Sequence, residues 1–122
     1  MAVPNIVNVT TIYGRSTGAA LTTNLITTQL TCPVNKVLKI NSIFVSNVDL
    51  LDSVEVTVDF YDSSQTTSFA LSSTIIVPSK STLIVVGKET GIYLEEGDEI
   101  RAGASHIDRA EIIISYEELD DA

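Results

Sequence analysis

The sequence predicts an all-β protein: an antiparallel β-sandwich, of jelly-roll or immunoglobulin-like topology, with about eight or nine strands and little or no helix. Three observations lead to this prediction. Segments rich in β-branched residues alternate apolar and polar side chains with the period of two that strands require. Clusters of Gly, Pro, Asn, Asp and Ser separate these segments. No segment carries the i, i+3, i+4 apolar spacing of a useful helix.

The clearest strand pattern covers residues 54–61, where apolar side chains alternate with polar or acidic ones. Successive strand side chains point to opposite faces, so this segment predicts one apolar row facing inward and one acidic row facing outward. Residues 109–117 repeat the pattern. There Ile112 and Ile114 share one face and Ile113 occupies the other, which leaves an apolar group on the outside of the sheet.

Residues 37–47 predict a longer strand that is apolar on both faces. Strict alternation assigns its apolar residues to two sets, Leu38, Ile40 and Phe44 against Ile43 and Val45. A strand of this kind lies at the centre of a sheet or is covered by a neighbouring subunit.

Weaker strand patterns occupy shorter segments, at residues 6–12, 23–30, 68–71, 74–77, 82–86, 92–94 and 99–102. Turn clusters lie between the segments, at residues 14–18, 32–36, 49–53, 62–66, 78–81 and 95–98. No linker or repeat interrupts the pattern. We therefore predict one domain over residues 1–122, with an N-terminal arm at about 1–5 and a frayed acidic tail at about 118–122.

The chain is acidic, with 16 Asp and Glu against 7 Lys and Arg and a formal net charge of −9. This charge repels polyphosphate, so we expect no nucleic-acid partner. The apolar runs are too short to span a bilayer and the first residues lack a basic n-region, so we expect no membrane partner. The single cysteine, Cys32, excludes an intramolecular disulfide and suits synthesis in a reducing cytoplasm.

Few residues offer catalytic chemistry. His106, the single histidine, lies in a predicted turn between strands, and Cys32 has no basic neighbour within two residues to lower its pKa. No nucleophile-elbow pattern occurs. We expect a protein that is not an enzyme, with no catalytic residues and no cofactor.

Two acidic clusters are candidates for binding calcium, which takes 6 to 8 oxygen ligands. One surrounds Gly97 and contains Glu95, Glu96, Asp98 and Glu99; the other contains Asp49 and Asp52. The spacing of an EF-hand is missing from both. We predict ordinary turns here and no metal site.

Several motifs resemble small virion structural proteins of marine tailed bacteriophages, especially those of cyanobacteria. They are the strand at residues 37–47, the strand at 54–62, the segment 92–98 with its Glu-Glu-Gly-Asp turn, and the closing Ser-Tyr-Glu-Glu at 115–118. The similarity covers the chain from about Ile12 onward. It implies an assembly role and carries over no catalytic residues.

Our first hypothesis is a capsid decoration (cement) protein of the virion, made in the host cytoplasm. It would bind the major capsid protein or other virion proteins on the outer head as a homo-oligomer, with a trimer favoured. The predicted interface uses the N-terminal arm and strand-face apolar residues left over after core filling: Ile43, Val45, Ile75 and Ile113. A neck, tail or fibre-attachment protein is the second hypothesis, and a carbohydrate- or calcium-binding β-sandwich module is the third.

Overall fold

The computed structural model describes residues 11–120 and is nearly all β, as the sequence predicts. Its nine strands are β1 (Thr11–Ala20), β2 (Thr27–Thr31), β3 (Lys36–Asn47), β4 (Val54–Asp62), β5 (Thr67–Val77), β6 (Thr82–Val86), β7 (Ile92–Leu94), β8 (Glu99–Ala104) and β9 (Ala110–Asp120). A short 3-10 turn covers Lys88–Thr90. No helix in the described part of the chain is long and apolar enough to cross a membrane.

The strands form two antiparallel sheets that pack face to face. Sheet A has the order β1-β9-β3-β6, with β7 also paired to β3, and sheet B has the order β2-β8-β4-β5. From β1 to β4 the chain changes sheet at every connection. This is the strand order of a jelly roll, which decides between the two predicted topologies.

The core lies between the sheets and consists of aliphatic side chains from their inner faces. In β4, the alternation predicted from sequence is confirmed, because Val54, Val56 and Val58 are buried while Glu55 is exposed. In β9, Ile112 and Ile114 are buried in the same core and Ile113 faces outward. Each buried aliphatic side chain of this kind contributes about 1.5–3 kcal/mol.

A β-bulge in β3 overturns one prediction. The register of β3 against β9 shifts between Ile40 and Ser42, so Asn41 is an additional residue in the ladder. Alternation therefore restarts after the bulge, and Ile43 and Val45 point into the core with no exposed surface. Their predicted place on an outer interface is wrong. Phe44, predicted to share the face of Leu38 and Ile40, points outward instead.

The structure also differs from the sequence prediction at one predicted turn and at one pair of predicted strands. The Gly- and Ser-containing segment at 14–18, predicted as a turn, lies within the ten residues of β1. Small residues are accommodated there because β1 is an edge strand with largely exposed side chains. The two strands predicted at 68–71 and 74–77 are one strand, β5, whose register shifts where Thr74 has a φ of 50° and donates its N–H to Thr57 Oγ1 at 3.0 Å.

The C-terminal tail is also more ordered than predicted. Residues 118–120 belong to β9, where Leu119 is buried. Glu118 forms ion pairs with Arg15 at 3.4 Å and with Lys36 at 3.6 Å. The predicted N-terminal arm at about 1–5, most of the strand predicted at 6–12, and residues 121–122 lie outside the described residues.

The register brings four loops to one end of the sandwich, which we name the apical end. These loops cover residues 21–26, 48–53, 78–81 and 105–109. The turns at residues 32–35, 63–66 and 95–98 lie at the opposite, basal end, and residues 87–91 connect β6 to β7 beside the middle of β3.

The buried amide of Asn47 connects the loops of the apical end. Its Nδ2 donates to the carbonyl oxygens of Asp52 and Val77, both at 2.9 Å, and its Oδ1 accepts the Asp49 N–H at 2.9 Å.

We expect Asn47→Ala to lower the free energy of unfolding by about 2–4 kcal/mol, because three hydrogen bonds at a buried position are lost together. Asn41→Ala, on the outer face of β3, is the control and should change it by less than about 0.5 kcal/mol. Equal urea midpoints for the two variants would contradict this account.

Candidate interaction surfaces

The outer face of sheet A carries an apolar row that crosses four strands. Ile113 pairs with Gly18 on one side and with Phe44 on the other, and Phe44 pairs in turn with Ile84. Directly paired residues in antiparallel strands share a face, so Gly18, Ile113, Phe44 and Ile84 form one line, here named the outer row. Ile84 is 61% exposed and Ile113 is 47% exposed. An apolar line of this kind is characteristic of a surface that another molecule covers.

Hydroxyl groups border the outer row on both sides. On the basal side, Ser16 and Ser115 share a hydrogen bond of 2.8 Å. On the apical side, Ser46 and Thr82 share one of 2.9 Å. Because these hydroxyls are uncharged and already partnered, covering them requires no desolvation of charge.

An open groove of about 620 Å³ adjoins the row. Its floor includes Phe44 and Ile84, and Lys39 and Glu117 lie at its charged end. Lys39 and Glu117 are opposite each other in the ladder of β3 and β9. The groove therefore presents an apolar surface next to a pair of opposite charges, a combination that suits a polypeptide segment better than a reactive small molecule.

The four predicted interface residues divide between different places. Ile113 lies in the outer row, whereas Ile43 and Val45 lie in the core. Ile75 is 41% exposed but lies on β5, the edge strand of sheet B, where it pairs with Val56 of β4. Sequence reasoning missed Phe44 because the bulge reverses its direction. It also missed Ile84, although the sequence of β6 places apolar residues on both of its faces.

The outer face of sheet B is polar except at the edge strand β5, where Ile76 is exposed, and a charge cluster crosses it. The Arg101 guanidinium lies 3.9 Å from the centroid of the Tyr61 ring and donates to Glu99 at 2.8 Å. The Arg101 hydrogen bond lowers the pKa of Glu99, while burial raises the pKa of Asp59, the ladder partner of Arg101. Arg101 covers one face of the Tyr61 ring, and a sugar could not stack on that face without displacing it.

The acidic turns use their carboxylates within the fold. Asp98 is buried, and its two oxygens accept the backbone N–H groups of Ser63 and Glu95 at 2.9 Å. Asp49 accepts the Asp52 N–H at 2.7 Å, and Arg109 lies 3.6 Å from the Asp52 carboxylate. Among residues 11–120, no group of three or more His, Cys, Asp or Glu side chains is arranged to hold a metal ion.

The two candidate reactive side chains, His106 and Cys32, differ in their exposure to solvent. His106 is exposed in the loop at residues 105–109, with its Nδ1 3.1 Å from Ser105 Oγ. Cys32 is buried, and its thiol donates to the Lys36 carbonyl oxygen at 3.2 Å. Burial raises the pKa of the Cys32 thiol to about 12. A thiol of this kind is protonated at neutral pH and is a poor nucleophile.

Neither the scan against protein-family models nor the search of curated proteins found a match to this chain.

The raised pKa of Cys32 predicts a specific loss of stability in alkali. Below its ordinary value of 9.0 the thiol is neutral in both states, whereas above it only the unfolded chain ionises. The free energy of unfolding therefore falls as the pH rises from 9.0 towards about 12. Relative to Cys32→Ala, the wild type should lose about 1 kcal/mol of unfolding free energy between pH 9 and pH 10. Urea unfolding at a series of pH values measures this, and parallel pH profiles for the two proteins would refute it.

Proposed function

We propose that this chain is a structural subunit of a tailed-bacteriophage particle, and specifically a capsid decoration protein that binds the outer head surface as an oligomer. It acts by binding and performs no catalysis. The observation that carries the proposal is the outer row, an exposed and uncharged apolar line across the four-strand path of sheet A.

The charge of the chain supports a second copy as the molecule that covers the outer row. Two copies with a net charge of −9 each repel one another over most of their surfaces. They approach most easily where the surface carries least charge. The row and its bordering hydroxyls carry none, and Glu111, opposite Ser46, is the carboxylate at the apical border of this face. Burying Ile113, Ile84 and Phe44 there would contribute about 25 cal/mol for each Å² of apolar surface removed from water.

The role would be mechanical. Many rigid copies bound across neighbouring head subunits add binding free energy to a shell that is under pressure from the packaged DNA. A jelly roll suits this role because its antiparallel sheets form one continuous core, and jelly rolls recur in viral capsid proteins. The same fold also serves lectins, so the fold alone does not select the function. The resemblance of residues 37–47, 54–62 and 92–98 to marine phage virion proteins supports the virion role over a lectin role.

Copy number distinguishes the head from the neck, tail or fibre attachment. A decoration protein follows the symmetry of the shell and is present in hundreds of copies, whereas a neck or tail component is present in a dozen or so. Quantitative mass spectrometry of purified particles, referenced to the major capsid protein, measures the number. A dozen copies or fewer would favour the second location, and absence from the particle would refute the proposal.

Ile113→Asp tests the self-association surface. The substitution places a carboxylate in a contact that would otherwise exclude water, so we expect the oligomer dissociation constant to rise at least tenfold. The melting temperature of the monomer should change little, because Ile113 is already 47% exposed. Sedimentation velocity over a concentration series and thermal melting make the two measurements.

The matched control is Val34→Asp, which introduces the same charge at a 66% exposed aliphatic residue at the basal end. It should leave the oligomer unchanged. If the folded Ile113→Asp protein sediments like the wild type, the outer row is not the interface. If it instead loses stability, residues of the same chain cover the row.

A further inference from the structure

The apical end carries a second set of exposed apolar residues, distinct from the outer row. Large aliphatic side chains project from three of its four loops: Leu25, Ile26, Val48, Leu50, Leu51 and Ile107. Leu51 is 86% exposed and Leu50 is 69% exposed. Two adjacent leucines that are mostly exposed to water are costly to a monomer, which makes this loop a candidate for contact with another molecule.

Hydrogen bonds hold the leucine pair in place. The Asp49 carboxylate accepts the Asp52 N–H at 2.7 Å, which closes the loop around Leu50 and Leu51. The buried amide of Asn47 fixes both ends of the same loop through Asp49 N–H and Asp52 C=O, at 2.9 Å each. The loop therefore presents the two side chains in a defined shape, and little conformational entropy is lost when they are buried.

Arg109 joins this loop to the one that carries Ile107. Its guanidinium donates to the Ser53 carbonyl oxygen at 3.2 Å and lies 3.6 Å from the Asp52 carboxylate. Its own carbonyl oxygen accepts the Val48 N–H at 2.7 Å. The loops at residues 48–53 and 105–109 consequently form one connected surface, with Leu50, Leu51 and Ile107 as its exposed apolar groups.

Acidic side chains surround this surface. The apical loops contain two cations, Lys80 and Arg109. Five carboxylates lie in these loops or within two residues of them: Asp49, Asp52, Glu55, Asp108 and Glu111. Arg109 is already paired with Asp49 and Asp52. The acidic surround disfavours a second copy of the chain, which would bring the same charges, and it disfavours an anionic lipid surface.

We infer that the apical end docks into an apolar pocket bordered by Lys and Arg side chains on a different protein. Leu50 and Leu51 fill the pocket, and the carboxylates that Arg109 does not pair, Glu55, Asp108 and Glu111, face its basic border. This inference rests on the proposed function, under which the partner is another protein of the same particle. It separates the two surfaces: the neutral outer row joins copies of the chain, and the acidic apical end joins the chain to the particle.

The test uses particles of the virus that encodes this chain, with the chain removed, and the purified full-length protein added back. We expect the double variant Leu50→Ser with Leu51→Ser to bind at least tenfold more weakly than the wild type while keeping its melting temperature. Val34→Ser, an aliphatic residue of similar exposure at the basal end, is the control and should bind within twofold of the wild type. Binding should weaken as salt is raised, because it includes charge pairing.

Photo-crosslinking identifies what the leucines touch. Benzoylphenylalanine at position 51 should crosslink to a peptide of a different particle protein, with Lys or Arg beside the modified site. Crosslinks to another copy of the chain, or a double variant that binds like the wild type, would overturn the inference and leave the proposed function standing. A wild-type protein that fails to bind the particles at all would overturn both.

Neutral phosphatidylcholine vesicles test the other class of partner. The wild type should not sediment with them. If it does, and the double variant does not, while both proteins bind particles equally, the apical leucines insert into lipid and the docking inference is wrong.

Discussion

The pairing of β3 on both of its edges is the constraint on which the rest of the structure depends. Along one edge β3 is bonded to β9 from end to end, and along the other it is shared between β7 and β6. A strand in this position must direct its largest aliphatic residues into the core along its whole length. The bulge at Asn41 permits this, because Leu38 and Ile40 before it and Ile43 and Val45 after it all become buried.

The same bulge produces the candidate interface. By adding one residue it directs Phe44 to the outer face, opposite Ile113 on one side and Ile84 on the other. Core filling and surface formation are therefore two consequences of one local irregularity. Bulges are retained where they re-aim a side chain, and here the re-aimed side chain is the aromatic centre of the outer row. Together with the apical leucines, this gives a rigid sandwich two chemically different surfaces, one neutral and one acidic at its border.

Sequence reasoning succeeded where a strand has one wet face and one buried face. The alternation at residues 54–61 predicts β4, and the turn chemistry at 78–81 and 95–98 predicts the turns after β5 and β7, because period and turn residues act locally. It failed at Ile43 and Val45 because nothing in residues 37–47 marks the bulge, whose position depends on pairing with a strand some seventy residues later. Residue propensity alone assigns the glycines of β1 to a turn. In the fold they lie in an edge strand, which tolerates them. The apical surface was not predicted at all, since Leu50 and Ile107 become neighbours only through the fold.

The central claim is that the chain is a head-bound subunit whose copies meet through the outer face of sheet A. A density map of purified particles, at a resolution that separates strands, tests it most directly. The account predicts copies of this jelly roll on the outer surface of the head, with Phe44 and Ile113 facing a neighbouring copy. Copies that occupy the head with the outer face of sheet A turned to solvent would contradict the account, as would a chain confined to the neck or tail.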